Sequence, residues 1–158
     1  MEILLNISQI TKIDETLKDF KVLLSRYREV KDDEKLLRMF FVRNRNPIWD
    51  ITKIKFFKTG LSSESAKIRP KNELVDDHFI QRSMAMKFIF SVLDKNEDMK
   101  LGAFINLLRK YCSTVVITKD EHLKVSLTAK RNPNYLNYES YLACGITING
   151  LSDHMLKG

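Results

Sequence analysis

At 158 residues the chain is long enough to bury a core as one domain, or as a domain with a helical extension. Its content, 44% hydrophobic and 30% charged, is that of a globular chain, and no apolar run approaches the roughly 18–20 residues that a membrane-spanning helix needs. A net charge of +7 and a pI near 9.4 favour anionic partners, nucleic acid first, and disfavour cationic ones.

Glycine (5) and proline (3) are scarce, which argues against a loop-rich sandwich and for helix-dominated architecture. The start, Met1-Glu2-Ile3-Leu4-Leu5-Asn6, lacks the basic segment and long apolar segment of a signal peptide, so a cytoplasmic address is the expectation. Cys112 and Cys144 read as reduced, packed thiols, and no CxxC pair suggests zinc.

In chain order, Ile10, Ile13, Leu17, Phe20, Leu24 and Tyr27 recur at three- and four-residue steps, the apolar stripe of a helix from about Ser8 to about Val30. The stripe suits packing on the domain's own core, with a short coiled-coil dimer or a protein-contact surface as the alternatives. Lys31-Asp32-Asp33-Glu34 interrupts it and caps a second helix carrying Leu36, Leu37, Phe40 and Phe41. Arg43-Asn44-Arg45-Asn46-Pro47 ends that helix, because a residue before proline resists the helical basin. Trp49 reads as a core anchor more than as a base-stacking platform. Ile51 to Phe57 partly alternates and fits either strand or helix. Pro70-Lys71-Asn72 reads as a turn between two hairpin arms, Ala66 to Arg69 and Glu73 to Asp77.

After Ser83 the period changes. Met84, Ala85, Phe88, Ile89, Val92 and Leu93 line one helix, and Leu101, Phe104, Ile105, Leu108 and Tyr111 line a second. The polar run Asp94 to Asp98 separates them, so the pair reads as an αα-hairpin. Thr114-Val115-Val116-Ile117 is a β-branched strand, and Thr118-Lys119-Asp120-Glu121 is a capping box that starts a helix with His122 in its first turn. Tyr135, Tyr138, Tyr141 and Leu142 suggest a short helix stopped by Gly145, and Ile146 to Gly150 a last short strand and turn. The tail, with His154, shows no pattern.

Charge is unevenly placed. Residues 1–50 are nearly balanced, whereas residues 51–71 hold Lys53, Lys55, Lys58, Lys67, Arg69 and Lys71 against the single acid Glu64. Such an excess suits contact with a phosphate backbone, and a solvated basic face without a partner is the plain alternative. It leads directly into Asp76-Asp77-His78, a carboxylate–imidazole pair at the end of an expected strand. His122 stands beside Asp120 and Glu121 after another expected strand. Carboxylate and imidazole together bind a divalent cation, and a second imidazole accepts a proton from water, which is the equipment of phosphodiester hydrolysis. Arg82, four residues after His78, is placed to contact a phosphate, as are Lys124, Lys130 and Arg131 on or after the second motif's helix. Taken singly, these residues have structural readings too: Thr118 and Glu121 as a cap, Asp76 and Asp77 as acids at a helix start, His122 as a solvated side chain.

Val75-Asp76-Asp77-His78-Phe79-Ile80-Gln81-Arg82-Ser83 resembles the "V-D-H-I-V-P-x-S" stretch of the HNH, or ββα-metal, endonuclease family. Val115-Val116-Ile117-Thr118-Lys119-Asp120-Glu121-His122-Leu123-Lys124 resembles its "K-V-L-T-x-x-x-N-x-x-K" stretch, with histidine in the asparagine position. The resemblance implies that Asp77 and His122 hold a divalent ion, Mg²⁺ or Mn²⁺, and that His78 is the general base. The chain departs from the pattern in three ways: the predicted helical hairpin separates the halves, Ser113 and Thr114 stand where the orienting asparagine is expected, and Gln81 replaces a proline.

The expectation is therefore an α+β fold, mostly helical. It comprises an N-terminal helical region (1–50) and a nuclease-like part (51–158) with a small ββα-metal-like core of hairpin, strand and helix, or else one compact domain 1–158. The expected activity is metal-dependent hydrolysis of nucleic acid, DNA before RNA. A non-catalytic nucleic-acid-binding regulator and a small interaction or inhibitor protein are the alternatives.

Overall fold

A computed structural model describes residues 4–132 and 137–152; the expected positions of Tyr135 and His154 lie outside the described residues. The first helix, α1 (Ile7–Val30), opens on a reciprocal cap in which Asn6 and Gln9 each accept the other's backbone N–H at 2.9 Å. Its stripe turns inward from Ile13 on: Ile13, Leu17, Phe20, Leu24 and Tyr27 are buried in the core, whereas Ile10 at its start is exposed. Helix α2 (Glu34–Asn44) is capped by Asp33, whose carboxylate accepts the N–H of Leu36. Pro47 does end that helix, and it also opens another, because proline's missing N–H costs nothing in a first turn: α3 (Asn46–Thr52) begins there.

The segment that fitted either strand or helix is neither throughout. Helix α3 ends at Thr52, a single 3₁₀ turn covers Lys55–Phe57, and strand β1 (Lys58–Ser62) follows. Strand β2 (Leu74–His78) forms where the second hairpin arm was expected, but the first arm does not exist: Ala66–Ile68 is a 3₁₀ turn. The reason lies in the partner. Helices α4 (Arg82–Lys95) and α5 (Leu101–Cys112) pack as the expected hairpin and deliver strand β3 (Thr114–Thr118) alongside β2. Val115 and Ile117 of β3 are wholly buried, which a polar arm at Ala66 to Arg69 has no means to match.

The sheet order is β1-β3-β2, with β1 parallel and β2 antiparallel to the central strand. Leu74 faces Thr118 and His78 faces Thr114 in an unbroken register. Helix α6 (Lys119–Arg131) leaves β3 directly through the predicted capping box, Thr118 accepting from Glu121 N–H at 3.1 Å and Glu121 from Thr118 N–H at 2.9 Å. Glu121 also accepts the hydroxyl of buried Ser63 at 2.6 Å, tying the end of β1 to the start of α6. Helix α7 (Asn137–Ala143) stops at Gly145, whose φ of +70° needs a residue without a Cβ. The expected last strand is a single bridge, Ser63 to Ile148. The fold is α+β and mostly helical, and among the described residues no helix is long and apolar enough to cross a membrane.

One hydrophobic core runs from Ile13 of α1 to Leu151, across the division at residue 50. At its centre Phe90 touches Phe20, Tyr27, Phe40 and Phe41, with ring centroids 4.9–6.3 Å apart. This cluster joins α1 and α2 to α4, so the N-terminal helices brace the helical hairpin that sets β2 against β3. Phe90→Ala is expected to cost about 3–5 kcal/mol in urea unfolding, with one cooperative transition for helix and sheet signals alike.

Candidate functional site

Asp77 and His122, 45 positions apart, meet in space: His122 Nδ1 lies 3.0 Å from Asp77 Oδ1. Strand β2 carries Asp77 to the face covered by α6, and the capping box fixes the first turn of α6 so that His122 reaches down to it. The other carboxylate oxygen, Oδ2, accepts the hydroxyl of Tyr141 from α7. Asp77 is 6% exposed, Tyr141 2%. Burial raises the Asp77 pKa, and the Tyr141 hydroxyl and His122 pull against it. Burial, then the charge of Asp77, raises the Tyr141 pKa, so its phenol keeps the proton it donates. With Asp77 ionised, His122 donates from Nδ1, on a side chain that is 49% exposed.

His78 is not part of this group. Successive residues of a strand point to opposite faces, so the neighbour of Asp77 faces α3 and α4. Its Nε2 lies 3.2 Å from Thr52 Oγ1, and that hydroxyl donates to Ile48 O at 2.8 Å. The Thr52 hydroxyl thus lies between a helix carbonyl and the imidazole. The ring stacks on Trp49, centroids 4.4 Å apart and 25° from parallel. Burial, reinforced by the charge of Arg82 and eased by Asp76, lowers the His78 pKa to about 4. A base that weak, half-buried and facing away from the Asp77–His122 pair, is poorly placed to activate water beside it.

The expected cation contacts divide. Lys53, Lys58, Lys67 and Arg69 each lie against an acid, Asp50 (3.5 Å), Asp76 (2.6 Å), Glu64 (2.6 Å) and Glu73 (3.1 Å). Lys55 and Lys71 are exposed and have no acidic partner among the described residues. On α6, Lys119, Ser126 and Lys130 fall on the stripe of His122 by three- and four-residue steps, whereas Lys124 and Arg131 project from the far side of the helix. Arg82 sits over Trp49, on the His78 side of the sheet.

A resident divalent ion needs free donors, and here both Asp77 oxygens and His122 Nδ1 are already hydrogen-bonded to each other or to Tyr141. Among the described residues no group of three or more His, Cys, Asp or Glu is placed to hold a metal ion. The donor set does not fit the Mg²⁺ or Mn²⁺ centre that the resemblance implies. Asp77 instead orients an imidazole, the part a carboxylate takes behind a proton-transferring histidine.

Tyr141 was not legible as a member of the site. Its place in an apolar helical stripe hides a hydroxyl that, once buried, requires a partner. Comparison with protein-family models, curated proteins and solved structures finds no match in any of the three.

The depressed His78 pKa has a sign that can be measured. Between about 4 and 6.5 the unfolded chain binds the proton that the folded chain refuses, so stability rises with pH across that window and is full above it. His78→Gln is expected to remove roughly 3 kcal/mol of the loss on acidification from pH 6.5 to 4, read as the difference between wild-type and variant urea midpoints.

Proposed function

We propose that the protein cleaves phosphodiester bonds of nucleic acid, with His122 as the proton-transferring group and Asp77, held by Tyr141, as its positioning residue. The observation that carries this reading is the contact between Asp77 and His122. A buried carboxylate fixes one imidazole nitrogen on a half-exposed side chain, an arrangement that keeps a base in one tautomer and one direction. Lys119 and Lys130, on the same stripe of α6, supply positive charge along the path a phosphate backbone would take past Nε2.

Without a fitting metal donor set the preferred substrate shifts from DNA to RNA. An imidazole alone activates a hydroxyl that already lies beside phosphorus, and only RNA carries one. His122 Nε2 takes the proton of the 2′-hydroxyl, the 2′ oxygen bonds to phosphorus, and the bond to the 5′ oxygen breaks. Solvent protonates the departing 5′ oxygen, so the products are a 2′,3′-cyclic phosphate and a free 5′-hydroxyl. The alternative of a non-catalytic nucleic-acid-binding regulator draws on the exposed Lys55 and Lys71, which have no acidic partner among the described residues, and predicts salt-sensitive binding without cleavage.

The test incubates end-labelled RNA and DNA with the protein in EDTA, and in Mg²⁺ or Mn²⁺. RNA is expected to be cut in EDTA, with His122→Ala slower by about 100-fold or more and His78→Gln near wild type. Absence of cleavage on every substrate, or cutting that survives His122→Ala, contradicts the proposal.

A further inference from the structure

Helix α2 has two unlike sides. Phe40 and Phe41 are buried and Leu37 is half-buried, and these hold the helix against α1 and α4. At 3.6 residues per turn, Lys35, Leu36, Arg38, Met39, Val42 and Arg43 share the opposite side, and all six are exposed. Leu36 is 40% exposed, Met39 53% and Val42 48%. A single apolar side chain in water is ordinary, but these three follow one another at three-residue steps along a helix of 11 residues.

The cations interleaved with them are open as well. Lys18, Arg26 and Arg28 of α1 each lie against an acid, whereas Lys35, Arg38 and Arg43 have no ion-pair partner among the described residues. The face therefore suits an occupant that is apolar along one line and negative beside it. A phosphate backbone would use the cations and leave the three apolar side chains in water. An anionic bilayer would take both, but exposed Asp32, Asp33 and Glu34 stand at the start of the helix and would press on like charge. A second copy of the face offers three cations and no acid to meet these three. A protein helix can place its acids beside Arg38 and Arg43 alone and leave the acidic end of α2 uncovered.

We propose that the outer face of α2 docks an acidic amphipathic helix of a partner protein. The partner's apolar side chains lie on Leu36, Met39 and Val42, and its carboxylates pair with Lys35, Arg38 and Arg43. The contact involves no residue of the Asp77–His122 site and does not depend on cleavage.

The probe is a labelled peptide of about 18 residues, with leucine at three- and four-residue steps and glutamate between them. Fluorescence anisotropy follows its binding, and carbon-13 methyl spectra follow Met39, whose signal Met39→Leu assigns. Saturable binding in the micromolar range is expected, with a shift of the Met39 methyl and at least about tenfold weaker binding of a scrambled peptide of the same composition. Met39→Asp and Arg38→Glu are each expected to weaken binding at least about tenfold. Lys12→Glu, an equal change of charge near the other end of α1, is expected to leave it within about twofold. Urea midpoints near wild type confirm that the variants are folded. No saturable binding, equal binding of the scrambled peptide, or an equal loss in Lys12→Glu overturns the proposal. So does a Met39 shift produced by phosphatidylserine vesicles, an oligonucleotide or self-association while the peptide produces none.

Discussion

A carboxylate taken out of water must be repaid in hydrogen bonds, and Asp77 is the point where this fold meets that demand. Its two oxygens are divided between an imidazole from α6 and a phenol from α7. Leaving either oxygen bare inside the protein would cost on the order of 1–3 kcal/mol, more for a charged group, so the two helices are held over β2 by polar chemistry as well as by packing. The same requirement gives His122 its direction. An imidazole on a surface helix would ordinarily sample many rotamers; this one has a nitrogen fixed by Asp77.

The two faces of β2 do different things because a strand alternates. One residue sends a carboxylate towards α6, and the next sends a neutral imidazole into a stack with Trp49 and Arg82. Burial that makes His78 a poor base makes it a good filler, hydrogen-bonded to Thr52 and flat against an indole. Most of the basic residues between 51 and 71, by contrast, have acids beside them. Local composition therefore overstated how much of that stretch is open to an anion.

What was legible in the chain follows from interactions between near neighbours. The α1 stripe, the αα-hairpin, the β-branched run at Thr114 and the Thr118–Glu121 cap are all written in spacing or in side chains that bond their own backbone. The pairing of β2 was not, because it depends on competition between a nearby polar arm and a distant apolar strand, and burial decides it. The meeting of Asp77 with His122 was anticipated, whereas the separation of His78 required only the period of a strand to be applied to adjacent residues. Tyr141 carried no sequence signal beyond its apolar stripe, since a hydroxyl's partner is known only when the helices are docked.

The central claim is that Asp77 fixes the tautomer of His122. Nitrogen-15 correlation spectra of the histidine rings at neutral pH test it directly. The structure predicts a proton on Nδ1 of His122. Loss of the His122 preference in Asp77→Ala would complete the agreement. A His122 ring that carries its proton on Nε2, or averages the two forms as free imidazole does, would contradict the account.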